Sequence, residues 1–211
     1  MPHQLIDARP GDENPTSLAR RVAGLIDDPT VTRLIVAPAA DGPMPPDAFF
    51  SAVVSAVMKL ERLDVEIGYV APERTPATGV YGLSHGASAR ETAISGTARP
   101  LPLIRDDAAV VLVGRARHLG AHGEKLHGET IVDSERIVDG TAKAVEIEPM
   151  TDEPGVRGRA ARLLPGGWRA GRAVQTGGTN LVVEREGVLT DRVVKRSTFY
   201  RHHEDWLLVT P

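Results

Sequence analysis

The chain contains no cysteine. Disulfides, thiolate metal sites and a catalytic thiol are therefore excluded. Aromatic residues are scarce, with three Phe, three Tyr and two Trp among 211 residues, so the core must rest on Val, Leu, Ile and Ala. No long apolar run is present. The densest stretch, around Ala48–Met58, is interrupted by serines and falls far short of a membrane span. The first residues, "MPHQLIDARPGDENPTS", are polar and lack the apolar segment of a secretory signal. A protein of the cytoplasm is expected. G-x-S-x-G, a complete P-loop, G-x-G-x-x-G and a convincing Ser-His-Asp set are all missing.

The charge present is small overall but uneven. The net value is −3, which gives no general attraction to nucleic acid. From Thr151 onward, ten basic residues face seven acids, so this part is near +3 and the remainder near −6. With 41% hydrophobic and 25% charged residues, the composition suits a globular protein with a sizeable core.

The first hundred residues carry α/β signals. "PTSLARRVAGLIDD" spaces Leu18, Val22, Leu25 and Ile26 as one helical face, with Thr16 or Ser17 as the expected N-cap. "VTRLIVAPA" is a dense apolar run of the kind found in buried parallel strands. "PPDAFFSAVVSAVMKLERL" reads as a helix, with Pro46 in its first turn, Asp47 suited to the helix dipole, and Phe50, Val53, Val54, Val57 and Met58 along one stripe. "DVEIGYVAP" reads as a second strand and "HGASARETAISG" as a short helix stopped by Gly96.

Beyond "PLPLIRDD" the pattern changes to period-two alternation, in "AAVVLVGRAR", "ETIVDSERIVDGTAKAVEIEP", "GRAVQTGG", "NLVVEREGV", "RVVKRSTFYRH" and "DWLLVTP". Turn signals at "GAHGEKLHG" and "VDG" separate some of these runs, and an arginine-rich loop is expected near "GVRGRAARLLPGGWRAG". The reading is an α/β part over residues 1–104 followed by an antiparallel, β-sandwich-like part over 105–211.

This order of elements resembles that of the diacylglycerol kinases and the related NAD kinases, in which a strand runs into a GGDGT motif, a helix follows, and a second strand leads to a Gly-Thr-x-Asn-Asp segment before a β-rich domain. In "LIVAPAADGP", Ala39, Ala40, Asp41, Gly42 and Pro43 stand across the first motif. In "VAPERTPATGVYGL", Pro72, Glu73, Thr75 and Pro76 stand across the second. "SARETAISGTARPLPL" is similar to the helix and strand leading into the second domain, and "VEREGVLTDRVVKRSTFYRHHEDWLLVTP" to its closing hairpin with a DGE-like turn. The resemblance covers most of the chain from about Ser17. It implies a Rossmann-like α/β half, here shortened, because about 30 residues precede the first strand where the family has a further βαβ segment.

The departures bear on chemistry. Alanine replaces both leading glycines and Pro43 replaces the threonine. A Cβ blocks close approach of backbone N–H groups to phosphate, and proline removes the donor itself. The resemblance therefore implies a divergent lipid-kinase-like protein without kinase activity, binding a phosphorylated or lipid-like ligand between its two parts. The alternatives are a non-enzymatic interaction or dimerisation scaffold, acting as a homodimer, and an active diacylglycerol-type lipid kinase using ATP and Mg²⁺.

Candidate ligand-binding residues are Asp41, Gly42, Thr75, Arg105, Asp106 and Asp107, the last three lying together at the proposed junction, where clefts favour ligands. A candidate anion site is formed by Lys195, Arg196, Tyr200 and Arg201 within "VKRSTFYRHHEDW". If this is a strand, Lys195, Ser197, Phe199 and Arg201 share one face, and Arg196, Thr198, Tyr200 and His202 the other. No catalytic residue is assigned and no metal site is expected. His118, His122, Glu124, His127 and Glu129 match no zinc spacing and read as a solvated hairpin tip. "QTGGTN", Gln175–Asn180, reads as a hairpin turn.

Overall fold

The computed structural model describes residues 3–161 and 167–211. Two hydrophobic cores share one mixed 13-stranded sheet. The first core lies around β1 (His3–Asp7), α1 (Pro15–Ile26), β2 (Arg33–Ala37), α2 (Pro46–Lys59), β3 (Glu66–Tyr69) and α3 (Pro76–Tyr81). After α4 (Ala89–Ser95) come β4 (Thr97–Asp106), β5 (Val111–Leu112), β6 (Ala116–Gly120), β7 (Leu126–Val132), β8 (Glu135–Ala142), β9 (Ala144–Pro149), β10 (Val156–Ala161), β11 (Arg169–Gly171), β12 (Ala173–Arg185) and β13 (Val188–Thr210). The α/β-then-β order read from the sequence is the order observed. The arginine-rich loop expected near 155–171 lies partly outside the described residues, at 162–166, and its described flanks are β10 and β11.

The N-terminal expectation needs correction. A strand, β1, precedes α1 and pairs in parallel with β2, so a βα unit stands ahead of β2 where a missing segment was expected. Only Ile6 of β1 is buried, which is why the segment shows no strand-like alternation. The cap of α1 is Asn14, whose Oδ1 accepts from the N–H groups of Thr16 (2.9 Å) and Ser17 (3.3 Å). Pro15 then occupies the first helical position, where no N–H is needed.

Helix α2 is buried along almost its whole length, not on a stripe alone. The serines that break its apolar run explain how this is tolerated. Ser51 Oγ donates to the Val111 carbonyl (2.5 Å), and Ser55 Oγ accepts from the Val111 N–H (2.8 Å), so the two hydroxyls satisfy the backbone of β5. Four of the eight aromatic rings gather at one point. Phe50 stacks on Tyr69 at 4.0 Å, and Trp206 lies against Phe50 at 5.8 Å and Tyr81 at 5.6 Å. Arg33 is buried and fixes α4 by donating to the carbonyls of Ala93, Ile94 and Gly96, the orphan acceptors of that helix end, while pairing with Glu66.

The β-rich part differs from expectation in four places. "GAHGEKLHG" does not close a hairpin, since β6 and β7 both pair with β12 and lie end to end along it. The "VDG" run lies inside β8. "QTGGTN" lies inside β12, not at a turn: Gly177 and Gly178 pair with Glu129 and Gly128. A Cβ on Gly128 would come within 2.0 Å of the Gly177 carbonyl, so the glycines are there for close strand approach. Within β6, His118 is fully buried, a correction to its place in a solvated loop. Its Nδ1 lies 2.7 Å from Thr176 Oγ1 and its Nε2 3.1 Å from Ser197 Oγ, and Thr130 Oγ1 extends the network to Thr176 at 2.9 Å. Burial pushes the imidazole pKa down to about 3.

Strand β13 joins the two cores. It pairs with β12 over its first part, then with β4, and finally in parallel with β3 at Leu208 and Ile67. Phe199 belongs to the β-rich core, Trp206 and Leu208 to the α/β core.

Candidate functional site

Two acids that the chain separates by most of its length meet where the cores join. Asp47 stands in the first turn of α2 and is 4% exposed; Glu186 stands in the β12–β13 turn and is 6% exposed. Asp47 Oδ1 accepts from the Tyr69 hydroxyl (2.8 Å) and Oδ2 from the Ala77 N–H at the start of α3 (2.9 Å). Glu186 accepts three backbone donors from the loop between β5 and β6: Val113 N–H (2.8 Å) and Gly114 N–H (2.9 Å) at Oε1, and Arg115 N–H (3.1 Å) at Oε2.

The two carboxyl groups face each other across Gly114. A Cβ there would stand 2.7 Å from Glu186 Oε2, 2.9 Å from Asp47 Oδ2 and 3.0 Å from Ala77 N. Glycine is thus required by space. Burial, and after it the neighbouring Asp47 carboxylate, raise the Glu186 pKa to about 8 against the three N–H bonds that favour its charged form. This shift favours the protonated form of Glu186. Burial and Asp47 likewise raise the pKa of Tyr69, which stays a neutral donor. A strongly shifted acid at a junction of cores is a recognised mark of a functional site.

Two spaces border Glu186. One is a cleft of about 230 Å³ lined by Pro45, Pro46, Asp47, Glu73, Arg74, Thr75, Arg115 and Gly187. The other is a groove of about 380 Å³ along α2, walled by Leu18, Ala19, Met44, Ala48, Ala52, Ala56, Val110 and Val188, with Lys59 and Arg185 among its polar members.

The residues singled out from the sequence fall into different places. Thr75 lines the cleft, with its Oγ1 accepting from Thr78 N–H as the N-cap of α3. Asp106 is buried next to the site: its Oδ2 accepts from Arg185 Nε (2.6 Å), and its Oδ1 holds the following turn through Ala108 and Val110 N–H. Asp107 accepts from the Thr198 N–H, and Arg105 lies over the Tyr200 ring at 4.9 Å, both away from the acid pair. Asp41 is exposed, and Gly42 closes a turn by donating to the Ala39 carbonyl. Of the anion candidates, Arg201 is engaged by Glu153 and Asp205, and Tyr200 by Arg105. Lys195 and Arg196 are exposed, further back along β13.

Sequence reasoning gave Asp47 only a dipole role and did not single out Glu186. The available signals were an acid directly after Pro-Pro at the mouth of an apolar helix, and a Glu-Gly turn between long alternating runs.

The fit of ATP·Mg²⁺ to this site is poor. Every carboxylate oxygen of the pair already accepts a bond from the protein, and among the described residues no group of three or more His, Asp or Glu side chains is placed to hold a metal ion. Proline at 43, 45 and 46 removes backbone donors from the loop entering α2.

The architecture is the two-part α/β and β-rich fold of the NAD kinases and diacylglycerol kinases. The chain superposes on an NAD kinase from Archaeoglobus fulgidus in complex with ATP at a TM-score of 0.59 and 11% identity, over 100% of this chain and 94% of that one. A diacylglycerol kinase from Bacillus anthracis str. Sterne gives a TM-score of 0.67 at 10% identity, over 99% and 96%. A putative diacylglycerol kinase from the same source gives 0.69 at 7%, over 92% and 83%. No protein-family model matches the chain, and no curated protein matches it by sequence. Identities this low establish a shared fold. No helix among the described residues is long and apolar enough to cross a membrane.

Proposed function

We propose that this chain binds a lipid-like or phosphorylated small ligand between its two parts and does not transfer phosphate. The observation that carries the reading is the groove along α2. Its wall is largely aliphatic, and its lining includes Glu186, an acid whose raised pKa favours the protonated form that can donate a hydrogen bond to a hydroxyl or acidic head group. An apolar tail gains about 25 cal/mol for each Å² removed from water, and a few convergent polar groups set its orientation. The prolines at 43, 45 and 46, which remove backbone donors from the loop entering α2, favour the lipid-like ligand over a nucleotide and support the non-catalytic half of the proposal. Residues 1–104 and 105–211 then act as the two walls of one site.

The test has two arms. Purified protein is mixed with ATP, Mg²⁺ and either diacylglycerol or NAD, and no phosphorylated product is expected. Product formation lost in Asp47→Asn would overturn the non-catalytic reading. In the second arm, diacylglycerol and monoacylglycerol are screened by thermal shift. A ligand that binds only the folded state raises the melting temperature, and Ala52→Phe, which fills the groove, removes the rise. A rise that survives this substitution places the ligand elsewhere.

A further inference from the structure

The first part of β13, Val188–Arg196, is unlike the rest of the sheet. It pairs with β12 on one side, and among the described residues its other edge has no partner strand, whereas from Phe199 onward that edge pairs with β4. Three large apolar side chains stand exposed within six residues: Val188 at 44%, Leu189 at 48% and Val193 at 46%. They are half of the exposed large hydrophobics among the described residues, the others being the scattered Leu5, Leu60 and Ile94.

The charges of this segment differ too. Many arginines elsewhere on the sheet are matched by acids, Arg117 by Glu184, Arg136 by Glu129, Arg157 by Glu148 and Arg159 by Glu146, although Arg99 and Arg105 of β4 are matched by no described acid. Arg192, Lys195 and Arg196 form no ion pair with any described side chain, and from Val188 to His203 the sequence holds one acid, Asp191. Exposed aliphatic side chains interleaved with unmatched cations are the combination that adheres to the surface of an anionic bilayer, the cations reaching the head groups and the apolar groups entering the interface. Nucleic acid would use the cations and leave the aliphatic groups in water. A second copy pairing along the same edge would bring two sets of these cations together.

From these features we infer that Val188–Arg196 is a docking surface for an anionic lipid bilayer. Val188 also walls the α2 groove, so docking sets the groove mouth at the lipid surface. Only that last consequence rests on the proposed function; the docking itself does not.

The full chain is sedimented with phosphatidylcholine vesicles, with and without phosphatidylserine. Binding is expected to the anionic vesicles alone, to weaken as salt is raised, and to fall by about tenfold or more in Arg192→Glu/Lys195→Glu/Arg196→Glu. Leu189→Ser/Val193→Ser lowers binding without changing its salt dependence. These positions are exposed, and unchanged thermal unfolding verifies that the variants fold. The inference is overturned if wild type ignores anionic vesicles, if both variants bind like wild type, if an oligonucleotide binds the same residues more tightly than the vesicles do, or if the chain is a dimer that the charge reversal alone dissociates. Ala52→Phe leaves vesicle binding intact while removing the ligand-dependent thermal shift, so failure of the groove and failure of the surface are separable.

Discussion

In the β-rich core, His118 is buried with both ring nitrogens matched by the hydroxyls of Thr176 and Ser197, and its environment keeps it neutral. At the junction, Asp47 and Glu186 are buried almost as deeply, yet two acids are crowded around one glycine and one of them must hold a proton to stay there. Both sites obey the rule that buried polar groups find partners. They differ in what the partners do. Side-chain hydroxyls can rotate to suit a neutral imidazole and leave it nothing further to offer. Backbone N–H groups aimed at a second carboxylate favour a charge that burial opposes, and this leaves a group balanced between two states. The first arrangement is structural; the second is the kind from which function is built.

The largest test of this contrast is Asp47→Ala. It strands the Tyr69 hydroxyl and the Ala77 N–H in a buried site, and a loss of about 2–4 kcal/mol is expected in chemical denaturation. If Asp47→Ala costs nothing, the acid is not holding α3 and β3 in place. His118→Leu should cost less, about 1–2 kcal/mol, because Thr130 and Thr176 keep each other as partners and the shape is roughly preserved. A larger loss than for Asp47→Ala would reverse the ranking of the two sites.

The most diagnostic effect lies in pH. Glu186 holds its proton in the folded state up to about pH 8, whereas the unfolded chain releases it near 4.5. The associated stability is complete below about 4.5 and is lost as pH rises towards 8. His118 runs the other way. Its folded pKa of about 3 lies below the unfolded 6.5, so its contribution is complete above 6.5 and is lost as pH falls towards 3. Denaturation curves across pH should therefore show two limbs. Glu186→Gln flattens the alkaline limb and His118→Leu the acid one. Either variant flattening the other limb would show that the two sites are coupled.

How far each site was legible follows the same division. Helix α2 was readable from its apolar positions, and the passage from helices to alternating strands from the change of period after Asp107. The edge strand β1 was not, because burying one residue in five leaves no pattern. The glycines at 177 and 178 read as a turn in the sequence, since a glycine pair permits both a turn and close strand contact, and only the register with Gly128 distinguishes them. The glycine neighbours of His118 signal a loop, although the alternation of β6 buries it. Asp47 and Glu186 could each be seen in the sequence, but their meeting depends on where β12 and β13 dock, and no local signal carries that.

The pairing of Leu208 with Ile67 has a kinetic side. The strand that completes the N-terminal sheet is made long after β1, β2 and β3 have left the ribosome. Until it arrives, the edge of β3 and the Trp206-facing surface of Phe50 and Tyr81 have no cover. Such long-range pairings slow folding. Glu186 lies in the turn that leads into this strand, so the acid pair forms only when β12 and β13 dock.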